Sequence, residues 1–133
     1  MVKNLLLLDV WKGEIKEITI KEFEDYYKYL NCECFDIVTR RIGKQKLPFD
    51  IFCDDEGLLK FHIPTAYNSK NQTMLVGNLI FSKTDNEGET ISLTPEEIDY
   101  IKEYIRSVKI AESNHLFIDL GIKNYVFLTE CNY

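Results

Sequence analysis

The sequence predicts a small α+β domain, a mostly antiparallel sheet with two helices packed on it. Three observations carry this. Residues 73–82 have apolar side chains on both faces, Leu75, Leu79 and Phe81 on one and Met74, Val76 and Ile80 on the other. Such a strand needs cover on both sides and belongs inside a sheet. Two acidic glycine turns, Asp54-Asp55-Glu56-Gly57 and Asp85-Asn86-Glu87-Gly88, punctuate short apolar runs, and their Asx residues and Gly suit tight reversals. Finally, two stretches show apolar residues at helical spacing.

In chain order, residues 4–10 and 14–20 read as strands joined by Trp11-Lys12-Gly13, a hairpin with Gly at its turn. Phe23, Tyr26, Tyr27 and Leu30 fall at i, i+3, i+4 and i+7 and predict the first helix; Thr19 and Glu22 have capping-box spacing before it, but Thr19 also fits the preceding strand. Residues 34–42 and 47–53 read as a strand pair about Gly43-Lys44-Gln45. Pro48 lacks an amide hydrogen, so the second of them starts there or lies at an edge. Residues 58–63 form a short strand, and 64–72 a polar loop. Thr94-Pro95-Glu96-Glu97 then has a full set of helix-start signals. The stripe Ile98, Ile101, Ile105 and Val108 continues it, so that strand, turn and longest helix together occupy residues 73–112. Residues 116–120 and 125–129 are apolar runs that suggest a last hairpin or packed tail. No repeat or linker divides the 133 residues, and one domain is expected over 1–133.

No apolar run approaches a membrane span, and the first residues lack the apolar core of a signal peptide. A cytoplasmic protein with no membrane partner and four reduced cysteines is therefore expected. The net charge of −6 is unevenly placed. Seven acids and one base lie between Asp85 and Glu103, a net −6 in that stretch alone. Arg40, Arg41, Lys44 and Lys46 reverse the sign in the hairpin around Gly43. Overall acidity disfavours direct nucleic-acid binding, leaving only that hairpin for it. The plain reading of the acids is a solvated helix face with favourable charge at a helix start.

Signals for chemistry are sparse. Cys32, Cys34, Cys53 and Cys131, with His62 and His115, could make a zinc set, but Cys-x-Cys is not the paired spacing of zinc knuckles. Buried or half-buried thiols are the simpler reading. Cys53 and His62 lack an orienting third group, and turn chemistry accounts for Asp54, Asp55 and Glu56. There is no phosphate-binding glycine loop and no nucleophile elbow. Neither a cofactor nor an enzyme is indicated.

The order of elements, together with Asp54-Asp55-Glu56-Gly57, Pro64 with Asn68, Val76-Gly77, Asp85-Asn86-Glu87-Gly88 and Ser92-Leu93-Thr94-Pro95-Glu96-Glu97-Ile98, carries a resemblance. Over about residues 5–106 the chain resembles a family of small uncharacterised proteins, a domain of unknown function common on phages, conjugative plasmids and other bacterial mobile elements. Ser69 stands where that family often has Arg, Asn78 where Thr is usual, and the tail over 109–133 is extra. The resemblance implies a genomic setting and no reaction. Three function classes follow. The first is a non-enzymatic inhibitor of a host defence factor, of anti-CRISPR or anti-restriction type. It would present Glu87, Glu89, Glu96, Asp99 and Glu103 to a nucleic-acid channel in a host protein. The second is a small-molecule or nucleotide binder, a sponge for a defence signal, using Tyr67 and Asn68 beside Arg40 and Arg41. The third is a regulatory accessory without ligand.

Overall fold

Leu5, Leu6, Leu7 and Leu8 are at most 2% exposed, so the first strand is covered on both faces. The computed structural model describes residues 2–56, 64–67, 73–110 and 113–119. The elements are β1 (Lys3–Asp9), β2 (Glu14–Ile20), α1 (Glu24–Leu30), β3 (Phe35–Ile42), β4 (Leu47–Asp54) and β5 (Pro64–Tyr67). After them come β6 (Thr73–Val76), β7 (Leu79–Thr84), β8 (Thr90–Ile91), α2 (Pro95–Lys102), β9 (Ile105–Ile110) and β10 (Ser113–Asp119). The result is a small, sheet-rich domain with two helices, in which strand outweighs helix.

The strands form two sheets. The larger runs β2–β1–β7–β4–β3, with β8 paired to the end of β7, and every pairing in it is antiparallel. The smaller runs β6–β5–β10–β9, and its β5–β10 pair is parallel. Register assigns the faces of the larger sheet, since residues directly opposite one another share a face. Leu7, Ile80 and Phe52 are cross-strand partners on one face. There the α1 residue Tyr26 stacks on Phe52 with ring centroids 4.3 Å apart and planes within 4°. Phe35 tilts against both rings. Leu6, Phe81 and Ile51 line the opposite face. There α2 docks, with Lys83 paired to Glu97 at 2.9 Å and Tyr100 beside Phe49 at 6.2 Å. Ala66, Leu75, Ile105 and Ile118 of the smaller sheet join the same buried cluster.

Three expectations need correction. The apolar run 73–82 is two strands in different sheets, because the backbone turns at Gly77, whose φ is +76°. Such a φ suits glycine and few other residues. The second helix ends at Lys102, and Ile105 and Val108 belong to β9. Its last turn tightens as the Tyr104 amide donates to the Ile101 carbonyl (3.0 Å). The chain then pairs with β10 from Ile105 to Ile110. The loop expected over 64–72 begins as strand β5 through Tyr67. Of the two readings of Thr19, the strand holds: it lies within β2 and caps nothing in α1. Instead the Asp25 carboxylate accepts from the amides of Lys21 (2.9 Å) and Glu22 (3.0 Å). The strand expected at 58–63 and the run 125–129 lie outside the described residues.

Candidate functional site

Acidic side chains are mounted on two connected elements, the β7–β8 hairpin and α2. The hairpin turn forms as its composition dictates. Asp85 Oδ1 accepts from the amides of Glu87 (2.8 Å) and Glu89 (2.9 Å), and the Asp85 amide donates to the Glu89 carbonyl (2.9 Å). Asp85 is thus spent on the turn, while Glu87 and Glu89 project into solvent. After β8 the chain is fastened to β1, where the Leu93 amide donates to the Asn4 carbonyl (3.0 Å) and the Asn4 amide to Ser92 Oγ (2.9 Å). The helix then starts with a complete capping box. The Glu97 amide donates to Thr94 Oγ1 (3.2 Å), and the Thr94 amide donates to Glu97 Oε1 (2.8 Å).

Glu97 is therefore structural. Burial pushes its carboxyl upward, but the Thr94 hydrogen bonds and the Lys83 ammonium favour the charged form more, and the net shift is downward. Ile98 and Ile101 are buried, which turns Glu96, Asp99 and Glu103 outward. Glu103 still has right-handed helical backbone (φ −61°, ψ −25°), so the three acids follow one another at spacings of three and four residues along one face. None of Glu87, Glu89, Glu96, Asp99 and Glu103 is in an ion pair with a described residue.

The basic hairpin meets the end of this same helix. Tyr100 Oη donates to the Ile42 carbonyl (2.6 Å) and accepts from the Gln45 amide (3.2 Å), while the Lys44 amide donates to Tyr104 Oη (3.1 Å). Gly43 (φ +78°) is buried against both tyrosines, and a Cβ there would lie 2.5 Å from Tyr104 Cε2. Nothing in the sequence pattern announces this lock; a glycine near charged residues, with two tyrosines four apart at the end of a helix, is its only trace.

Of the second set of expected residues, two lie in β3 and one in β5. Arg40 and Arg41 are consecutive in β3, so they point to opposite faces. Arg41 Nη1 donates to the Lys46 carbonyl (3.1 Å) and Arg40 Nη1 to the Thr39 carbonyl (3.0 Å). Arg40 Nε is buried without a hydrogen-bond partner among the described residues. Tyr67 ends β5 in the other sheet, and Asn68 lies outside the described residues.

Of the expected metal donors, Cys32 is half-buried, Cys34 exposed and Cys53 buried. Burial, then the nearby Asp36 charge, pushes the Cys53 thiol up to about 11, which disfavours the thiolate a metal needs. Cys34 Sγ and the carboxylates of Asp55 and Glu56 lie within 4.8 Å of one another, all exposed, a different set from four thiolates. Asp54 Oδ1 accepts from the Glu56 amide (2.9 Å), as the turn reading requires. Cys131 and His62 lie outside the described residues.

A cavity of about 450 Å³ opens where the β1–β2 turn meets the end of α1. The sequence reading missed it, because its walls come from residues far apart in the chain.

A family model described as a domain of unknown function, DUF3846, matches residues 2–106. The chain belongs to the DUF3846 family. No curated protein and no solved structure matches it. The DUF3846 match takes in both helices, the whole larger sheet, β5 and β6, and reaches just into β9. Strand β10, which pairs with both β9 and β5, lies beyond it. Among the described residues no helix is long and apolar enough to cross a membrane.

Proposed function

We propose that this protein is a non-enzymatic binding protein that presents the acidic face of α2 and the β7–β8 turn to a cationic, nucleic-acid-binding groove in a host defence enzyme. One observation carries the reading: Glu87, Glu89, Glu96, Asp99 and Glu103 are all exposed and unpaired among the described residues. They stand on a segment held to the sheet by a capping box, the Lys83–Glu97 pair and three buried anchors, Leu93, Ile98 and Ile101. Rigid mounting matters because a groove built for phosphates binds a fixed array of carboxylates without first ordering it. The neighbouring acids Asp85 and Glu97 are used internally, so the presented charge is a subset of the acidic run. A setting on mobile elements, implied by the resemblance, would supply the reason to inhibit a restriction or CRISPR-type nuclease.

The test is nuclease inhibition by the wild type and by Glu96→Lys, Asp99→Lys, Glu103→Lys combined, at two salt concentrations. Inhibition should be lost in the triple variant and should weaken in the wild type at the higher salt, because exposed charges are screened over about 10 Å at 0.1 M. Equal inhibition by variant and wild type would reduce the acidic face to a solubilising surface.

A further inference from the structure

We propose that the seam between the β1–β2 turn and the end of α1 is a binding site for a nucleoside phosphate. The site lies on the α1 face of the larger sheet, away from the acidic helix, and goes beyond the protein-binding reading. Its volume of about 450 Å³ falls within the range of small-molecule pockets, about 300–1,000 Å³. The walls are fixed by one buried side chain. Asn78 Oδ1 accepts from the Val10 amide (2.9 Å), and Asn78 Nδ2 donates to the Tyr29 carbonyl (3.0 Å). These bonds span 68 and 49 residues of chain, so a single amide holds turn and helix at a set separation.

The charge of the lining is opposite to that of the chain. Lys12, Lys16 and Lys28 face the cavity, although the protein as a whole carries −6. The carboxylate in the lining is that of Asp9, whose Oδ1 already accepts from the amides of Trp11 (3.1 Å) and Lys12 (3.0 Å). Asp25, one turn before Lys28, feels its charge, yet none of the three ammonium groups is in an ion pair with a described residue. Three gathered cations favour an anion with several acceptor oxygens, which a phosphate supplies. The flat part of the ligand follows from Trp11, which lines the same cavity and leaves 51% of its surface exposed. An indole in that position offers a stacking surface for a heteroaromatic base. Asn31, held at the helix end in left-handed backbone (φ 54°), adds an exposed amide able to both donate to and accept from a base edge.

Trp11 is the one tryptophan in the chain, so its fluorescence reads this pocket directly. AMP should quench it saturably. Adenosine should bind at least about tenfold more weakly than AMP, and inorganic phosphate should compete with AMP while binding more weakly, because charge-assisted bonds and stacking each supply part of the affinity. Lys12→Gln, Lys16→Gln, Lys28→Gln combined should weaken AMP at least about tenfold with unchanged circular dichroism. Absence of saturable quenching by millimolar AMP, adenosine or phosphate binding as tight as AMP, or an unaltered response in the folded triple variant would each overturn the proposal. Because the wild-type comparison of the three probes stands alone, a variant that failed to fold would not remove the test.

Discussion

Thr94 and Glu97 perform structural work in a stretch whose other acids face solvent. Thr94→Ala removes the acceptor for the Glu97 amide and should cost about 1 kcal/mol, read from the denaturation midpoint at constant slope. Glu97→Gln keeps an acceptor for the Thr94 amide but loses the charge that meets Lys83. The folded carboxyl is held below its ordinary value of 4.5, so the unfolded chain takes up protons first as acid is added. The stabilisation from this charge is therefore complete above about pH 4.5 and is lost as pH falls through the folded-state value. The melting temperatures of wild type and Glu97→Gln should differ at neutral pH and converge in acid; a gap that persists would mean the charge is not the cause. Cysteine reactivity should divide by exposure. Cys53 is 5% exposed, with its thiol raised to about 11 and its S–H donating to the Asp36 carbonyl (3.8 Å). Iodoacetamide at neutral pH should label Cys34 in the native protein and Cys53 only after unfolding. Peptide mapping that finds Cys53 labelled under native conditions would contradict its burial.

At the scale of elements, the telling contact is between α2 and the β3–β4 hairpin. Two tyrosine hydroxyls meet the backbone of that turn, and Gly43 leaves the space they occupy. Gly43→Ala meets two costs, left-handed backbone and overlap with the rings. Gly88→Ala has a similar backbone (φ +84°) with nothing within 4 Å, so it meets the first cost alone. The strain term is about 1–2 kcal/mol. Gly43→Ala should exceed Gly88→Ala by at least about 1 kcal/mol, since the tyrosine hydroxyl contacts with the turn are disturbed as well. Equal losses in urea denaturation would show that the tyrosine lock contributes nothing.

Across the whole molecule, the larger sheet separates the exposed acids of α2 from the lysine-lined cavity. The acidic helix covers one face, and the lysine-lined cavity opens on the other beside α1. Net charge conceals this, because −6 describes the sum and not its placement. The salt response expected of the proposed inhibition belongs to this scale, since it would report the field of the acidic face as a whole. Reversing Glu96, Asp99 and Glu103 should leave the fold intact, because substitutions at exposed positions usually change stability by no more than about 0.5 kcal/mol. The first-turn position of Glu96 adds at most a modest dipole penalty.

Features governed by short-range chemistry were legible before any fold was known. Asp85-Asn86-Glu87-Gly88 makes its turn with its own amides, and Thr94-Pro95-Glu96-Glu97 caps its helix with its own side chains. The apolar residues on both faces of 73–82 required cover on both sides, and Leu75, Val76, Leu79, Ile80 and Phe81 are buried. Membership of a family of unknown function was also legible, and the DUF3846 match over residues 2–106 agrees with it. Tertiary structure decided the rest. Ile101 and Ile105 fit a helical stripe, but Ile105 lies opposite Ile118, and a ladder to β10 outweighed another turn of helix. The apolar run 73–82 satisfied strand periodicity throughout, yet φ +76° at Gly77 sends its halves into different sheets. Arg40 and Arg41, adjacent in sequence, were parted by the pleat, while Lys12 and Lys28 were brought to one cavity. That cavity depends on Asn78, whose bonds reach back 68 residues to Val10 and 49 to Tyr29. Local patterns record what a segment can form, but partners so distant in the chain are chosen only when the sheets close around a shared core.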